Sequence, residues 1–215
     1  MQRDNQTMMF KPKQIRIFGS LSSSEAEIRD LAKAWIAISL AFAIAISGSI
    51  FSSKFYSAFI ISSLTVGVGF IFHEMGHKIM AQRYGCFAEF RSFDNMLIMA
   101  VIMSFFGFIF AAPGAVMISG PVGTRRNGKI SALGPATNFA LALIFLSMVY
   151  LAPFASLKSI SYYGFYINSW LGLFNIIPFW MFDGIKIWRW SKVVYLIMLA
   201  IGAGFMILLN SLSAI

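Results

Sequence analysis

The sequence predicts an all-α polytopic membrane protein: about five transmembrane helices plus one re-entrant helix/strand segment at about 96–120. Three observations carry this. Hydrophobic residues make up 59% of the chain and charged residues 12%, against about 45–50% and about 25% in soluble domains. The excess is gathered in six apolar blocks, at about 34–50, 55–82, 96–112, 132–152, 162–183 and 193–209, each near the roughly 20 residues a helix needs to cross the hydrocarbon core. The Lys and Arg residues between the blocks then choose the topology. If all six blocks span, the 17 basic residues divide ten to seven; if 96–112 dips in and returns on the same side, they divide fifteen to two. Positive charge collects on the cytoplasmic side, so the second arrangement is predicted, with the N-terminus cytoplasmic, the C-terminus outside and five true spans.

Taken in order, residues 1–33 are polar and mixed in charge, without the basic start, apolar core and small-residue cleavage site of a signal peptide. Residues 1–30 read as a cytoplasmic segment and 31–215 as a transmembrane domain with its core at about 55–185; the first span is expected to be uncleaved. Within the N-terminal segment, "KQIRIF" at 13–18 alternates polar and apolar residues as a short strand does. Ser24 with Glu27 three residues on is a capping box opening the first helix. Ala37, Ala41 and Ala45, four apart, mark close helix packing. The stretch "FAAPGAVMISGP" at 110–121 is bracketed by Pro and Gly around a strand-like core, Ala115 to Ser119. Non-helical backbone at membrane depth is tolerated only where protein buries it or a wet cavity borders it. Trp188 and Trp190, beside Arg189, read as an interfacial belt.

The composition also excludes classes of function. A net charge of +9 suits cytoplasmic loops against anionic lipid; no soluble basic face is present for nucleic acid. Cys86 is the only cysteine, which rules out an internal disulfide and a cysteine-based metal cluster.

The chemistry is concentrated in "FHEMGH". His73 and His77 are the only histidines in the chain, and their i, i+4 spacing puts both on one helix face, with Glu74 able to reach a water on a metal they share. Ionisable side chains inside a span are costly, at least ~2.5 kcal/mol each, and mark function by default. Two imidazoles leave a catalytic zinc one protein ligand short. The other acids are Asp4, Glu25, Glu27, Asp30, Glu89, Asp94 and Asp183. Asp183 closes "NIIPFWMFDG", where Pro178 cannot continue a helix. Asp183 is open to two readings on spacing alone: a third ligand, or an interfacial residue paired with Lys186. The five-span topology brings it to the same side as the HEMGH end of its helix.

At this point the chain resembles the site-2 proteases, intramembrane zinc metalloproteases, in the compact form without a PDZ or nucleotide-sensing domain. The resemblance covers roughly residues 60–185 and rests on three segments in family order: "FHEMGH", "LGPATN" and "NIIPFWMFDG". It implies one Zn2+ per chain held by His73, His77 and Asp183, with Glu74 as catalytic base. It implies that Asn138 helps to bind substrate or stabilise the oxyanion and that Asn175, at the family spacing, binds substrate; the active site is expected nearer the cytoplasmic side. The chain departs from the family where a second proline is Met181 and a second glycine is Ile185, both matters of backbone shape. The expected partners are a membrane-spanning protein substrate and the lipid bilayer, with no nucleic acid. Val116 is expected to bind substrate too, because the 114–120 strand can pair with an unwound substrate segment by strand addition. Two other readings stay open: another membrane zincin whose third ligand is a Glu on a later helix, and a non-catalytic protein that binds metal or membrane segments.

Overall fold

The computed structural model describes residues 15–18, 21–109, 112–179 and 182–212. Strands β1 (Ile15–Phe18) and β2 (Leu21–Ser23) form an antiparallel pair that leads into helix α1 (Glu25–Ser47). The sequence-level strand at 13–18 is β1, within the described residues. Ser24 caps α1 as expected, its Oγ accepting the Glu27 backbone N–H at 3.1 Å. The box is only half closed, because the Glu27 carboxylate turns away to other partners described below. Gly48, at φ 74°, ends the helix in the left-handed conformation glycine adopts without strain, and its N–H reaches the Ile44 carbonyl at 2.8 Å.

Helix α2 (Phe55–Ser62), a π turn over Ser63–Gly67 and helix α3 (Val68–Arg83) run on as a single rod of 29 residues. The π turn is pinned by α1: Trp35 donates its indole N–H to the Ser63 carbonyl at 3.2 Å, and a Cβ on Gly67 would lie 2.8 Å from Ser39 Oγ. Such turns are often found at functional sites, and this one begins ten residues before His73.

Strand β3 (Phe87–Ser92) leads into helix α4 (Asp94–Ser104), and strand β4 (Gly114–Ser119) pairs antiparallel with β3, from Phe87 opposite Ser119 to Ser92 opposite Gly114. The Phe93 N–H closes the end of this ladder on the Pro113 carbonyl at 3.0 Å, so the chain leaves the hairpin and returns to the same point. With 11 residues, α4 is about 16 Å long, half of a hydrocarbon core about 30 Å thick. Helix α4 by itself is therefore too short to cross that core.

Helices α5 (Thr124–Leu151), α6 (Ala155–Asn175), α7 (Asp183–Trp190) and α8 (Lys192–Leu212) complete the fold. Among the described residues, four elements are long and apolar enough to cross a membrane: α1, the 29-residue rod, α5 and α8. Helix α6 has the length, 21 residues, but carries more polar side chains. The apolar block 162–183 breaks at Pro178, so Asp183 opens the short helix α7 instead of closing a span. Along α5 and α8 large apolar side chains such as Ile144, Leu196 and Ile207 point outward, a surface that suits lipid and not water.

The inner packing fixes the hairpin against the rod. Ala34 and Ile38 of α1, Val66 and Phe70 of the rod, and Phe90 of β3 form one buried cluster, in which the Phe70 and Phe90 rings meet edge to face with centroids 5.5 Å apart.

Candidate metal centre

Two helices deliver the three candidate ligands. One turn of α3 separates His73 from His77, and the break around Pro178 lets α7 bring Asp183 back to face them. All three side chains are buried. His73 Nε2 lies 3.1 Å from His77 Nε2, and Asp183 Oδ2 lies 3.4 and 3.0 Å from them respectively. Donors about 2.0–2.1 Å from a tetrahedral zinc stand roughly 3.3 Å apart, so the three atoms are spaced as one zinc ion requires.

Hydrogen bonding makes the convergence more demanding still. His77 Nδ1 lies 2.9 Å from the Ile130 carbonyl and His73 Nδ1 lies 2.6 Å from Asn138 Oδ1. Both oxygens only accept, so each Nδ1 carries the proton and each neutral ring offers its Nε2 lone pair to the common point. Two lone pairs and a carboxylate oxygen meeting away from water call for a cation between them. Asp183 Oδ1, the other carboxylate oxygen, accepts from Lys186 Nζ at 3.4 Å; the pairing with Lys186 and the approach to the histidines coexist, one oxygen each.

Helix α5 packs directly over this centre because its sequence is small there. A Cβ on Gly134 would sit 2.7 Å from His73 Nε2 and against the His77 ring, while one on Gly76 would sit 2.9 Å from the Leu133 carbonyl. The glycines let α3 and α5 cross closely enough for the Ile130 carbonyl to reach His77.

Glu74 is 8% exposed, next to His73 on α3, and its carboxylate faces the Val116 backbone N–H of β4. The direction of that N–H follows from the sheet. Phe90, opposite Val116, gives its own N–H to Glu27 Oε1 at 2.9 Å, so Phe90 and Val116 are a non-hydrogen-bonded pair whose backbone groups point away from each other. By the two-residue period of a strand, Gly114, Val116 and Ile118 present their backbone groups on the outer edge of β4. Among the described residues β4 pairs only with β3.

A curated protein of Methanocaldococcus jannaschii that bears the provisional name zinc metalloprotease is 41% identical to the chain over 179 residues, covering 81% of this chain and 89% of the relative. The chain belongs to this family of zinc metalloproteases. No family model matches the sequence, and no solved structure does.

In this zinc metalloprotease the fold brings together His73, Glu74, His77, Asp183, Asn138 and Val116. Asn138 is fully buried, with Oδ1 on His73 and Nδ2 donating to the Gly69 carbonyl and to Asn168 Oδ1, each at 3.1 Å. Its amide is turned to the imidazole. Asn175, half-buried in the last turn of α6, donates to the Leu171 carbonyl of its own helix at 2.9 Å. Sequence reasoning missed the Ile130 carbonyl, Gly134 and Asn168. It also misplaced Lys78, counted among loop charges: Lys78 is 1% exposed and paired with Glu27. A signal was present, since Lys78 directly follows His77 within the continuous helical pattern.

Proposed function

We propose that the chain is an intramembrane zinc metalloprotease of the site-2 type, with His73, His77 and Asp183 as metal ligands and Glu74 as general base. The observation that supports this most is the convergence of three buried acceptors, on two helices, inside a bundle whose outer surface is apolar. When bound, zinc would supply a Lewis acid that brings the pKa of a water to about 7 and polarises a peptide carbonyl. Glu74 takes the water's proton and returns it to the leaving amine. Asn138 and the Ile130 carbonyl hold the two imidazoles in the tautomer a ligand needs.

The substrate is a membrane-spanning protein segment, unwound before cleavage because a helix hides its carbonyls in its own hydrogen bonds. The outer edge of β4 supports such an extended segment by strand addition, with Val116 beside Glu74 so that the paired peptide lies next to the base. The hairpin's return to its starting point and the short α4 support a re-entrant loop. With five spans the N-terminus is cytoplasmic, the C-terminus outside and the centre nearer the cytoplasmic side.

The test uses the purified chain in detergent with a single-span protein labelled at both ends and a soluble peptide of matched length. Cleavage mapped by mass spectrometry to within the span, with the soluble peptide cut far more slowly, supports the reading. Preferential cleavage of the soluble peptide, or cuts confined to the substrate's soluble flanks, contradicts it.

A further inference from the structure

We propose that Asn168 of α6 is a positioning residue for the metal centre, acting through Asn138 to hold His73 with Nε2 directed at the ion. This rests on the reading of His73 as a metal ligand.

The argument is one of hydrogen-bond direction. Asn168 Nδ2 donates to the Gly164 carbonyl at 2.9 Å, a group that can only accept, and this fixes which end of the amide faces outward. Its Oδ1 therefore receives one of the two Asn138 Nδ2 hydrogens at 3.1 Å, and the second goes to the Gly69 carbonyl at 3.1 Å. With both hydrogens committed, the atom left to face His73 is Asn138 Oδ1, at 2.6 Å. An oxygen there requires the proton on Nδ1 and leaves Nε2 free for a metal. The relay crosses from α6 through α5 to α3, and Asn138 and Asn168 are both fully buried, so no water is available to replace a lost member. Space for it depends on Gly69, whose Cβ would lie 3.1 Å from Asn168 Cγ.

Replacing Asn168 with Leu keeps the branching and number of heavy atoms but leaves one Asn138 hydrogen unpaired, free to let that amide rotate or flip. Outer partners of a ligating histidine typically change metal affinity by about 10- to 100-fold; one step further out, an effect of about tenfold is expected. An Asn168→Asp side chain, protonated in this buried place, can still donate to Gly164 and accept from Asn138. A residue that merely fastens α5 to α6 would lower stability in both variants without touching the metal.

The experiment measures zinc affinity by chelator competition, and the visible absorption of the cobalt-loaded protein, for the natural chain, Asn168→Leu and Asn168→Asp in detergent. The expected result is binding about tenfold weaker with an altered cobalt spectrum for Leu, and near-natural values for Asp. Natural affinity and spectrum in a folded Asn168→Leu chain overturn the proposal. If that variant does not fold, nitrogen-15 spectra of the zinc-loaded natural chain decide: His73 protonated at Nδ1 agrees, and His73 metallated at Nδ1 contradicts it. A natural chain that binds no zinc would defeat the functional reading itself, a result separate from these.

Discussion

Glu27, in the first turn of α1, and Lys78, the residue after His77 on α3, form a buried ion pair with neither side chain more than 1% exposed. Glu27 also accepts from Ser23 Oγ at 2.6 Å and from the Phe90 N–H of β3. One carboxylate thus ties α1, the metal-bearing helix and the hairpin together, and takes up the outward Phe90 N–H of β3.

Removing one member of that pair leaves an uncompensated buried charge, a loss of about 3–5 kcal/mol. Glu27→Ala should therefore lower the unfolding temperature sharply in detergent, whereas Glu27→Leu combined with Lys78→Met should recover much of the loss. Thermal unfolding of the single and double variants checks this, and equal stability of Glu27→Ala and the natural chain would contradict it.

Gly134→Ala should weaken zinc binding by about tenfold or more, an effect of the size seen when the surroundings of a ligand are displaced. Alanine in a helix interior is ordinarily favoured over glycine by roughly 0.5–1 kcal/mol, but here its methyl group would press on both imidazoles. Chelator competition gives the affinity, and unchanged binding would refute the close approach of α5.

Val116→Pro removes the N–H that faces Glu74 and interrupts the outer edge of β4, while the inward ladder bonds of its neighbours remain. Cleavage of a single-span substrate should fall at least about tenfold, with zinc content unchanged, since strand addition depends on those edge groups. Unchanged turnover would sink the strand-addition account.

Asp183→Ala removes one of three protein ligands and should lower zinc affinity by more than about 100-fold, beyond the 10- to 100-fold typical of outer partners. Lys186→Met should lower it far less, because Lys186 meets the oxygen turned away from the histidines. Comparison of the two variants by metal titration tests the division of labour between Oδ1 and Oδ2.

What could be read in advance was local. The spacing of His73, Glu74 and His77, the Ser24 cap, the strand at 114–119 and the helix break at Pro178 are all written within a few residues of themselves. What escaped depends on contacts across 30 to 69 positions, such as Asn138 with Asn168 and with Gly69. No periodicity records these. Lys78 looked like a loop charge because its partner Glu27 lies 51 residues away, and Asn138 looked like a substrate ligand because its imidazole partner comes from another helix. Met181 lies outside the described residues.

The central claim is that a zinc ion held by His73, His77 and Asp183 works with Glu74 on a peptide bond. The most direct measurement compares the natural chain with Glu74→Gln in detergent, for zinc content and for cleavage of a single-span substrate. The account predicts about one zinc per chain in both and cleavage by the natural chain alone. Loss of zinc from Glu74→Gln, or undiminished cleavage by it, would contradict the role given to Glu74; absence of zinc from the natural chain would contradict the metal centre itself.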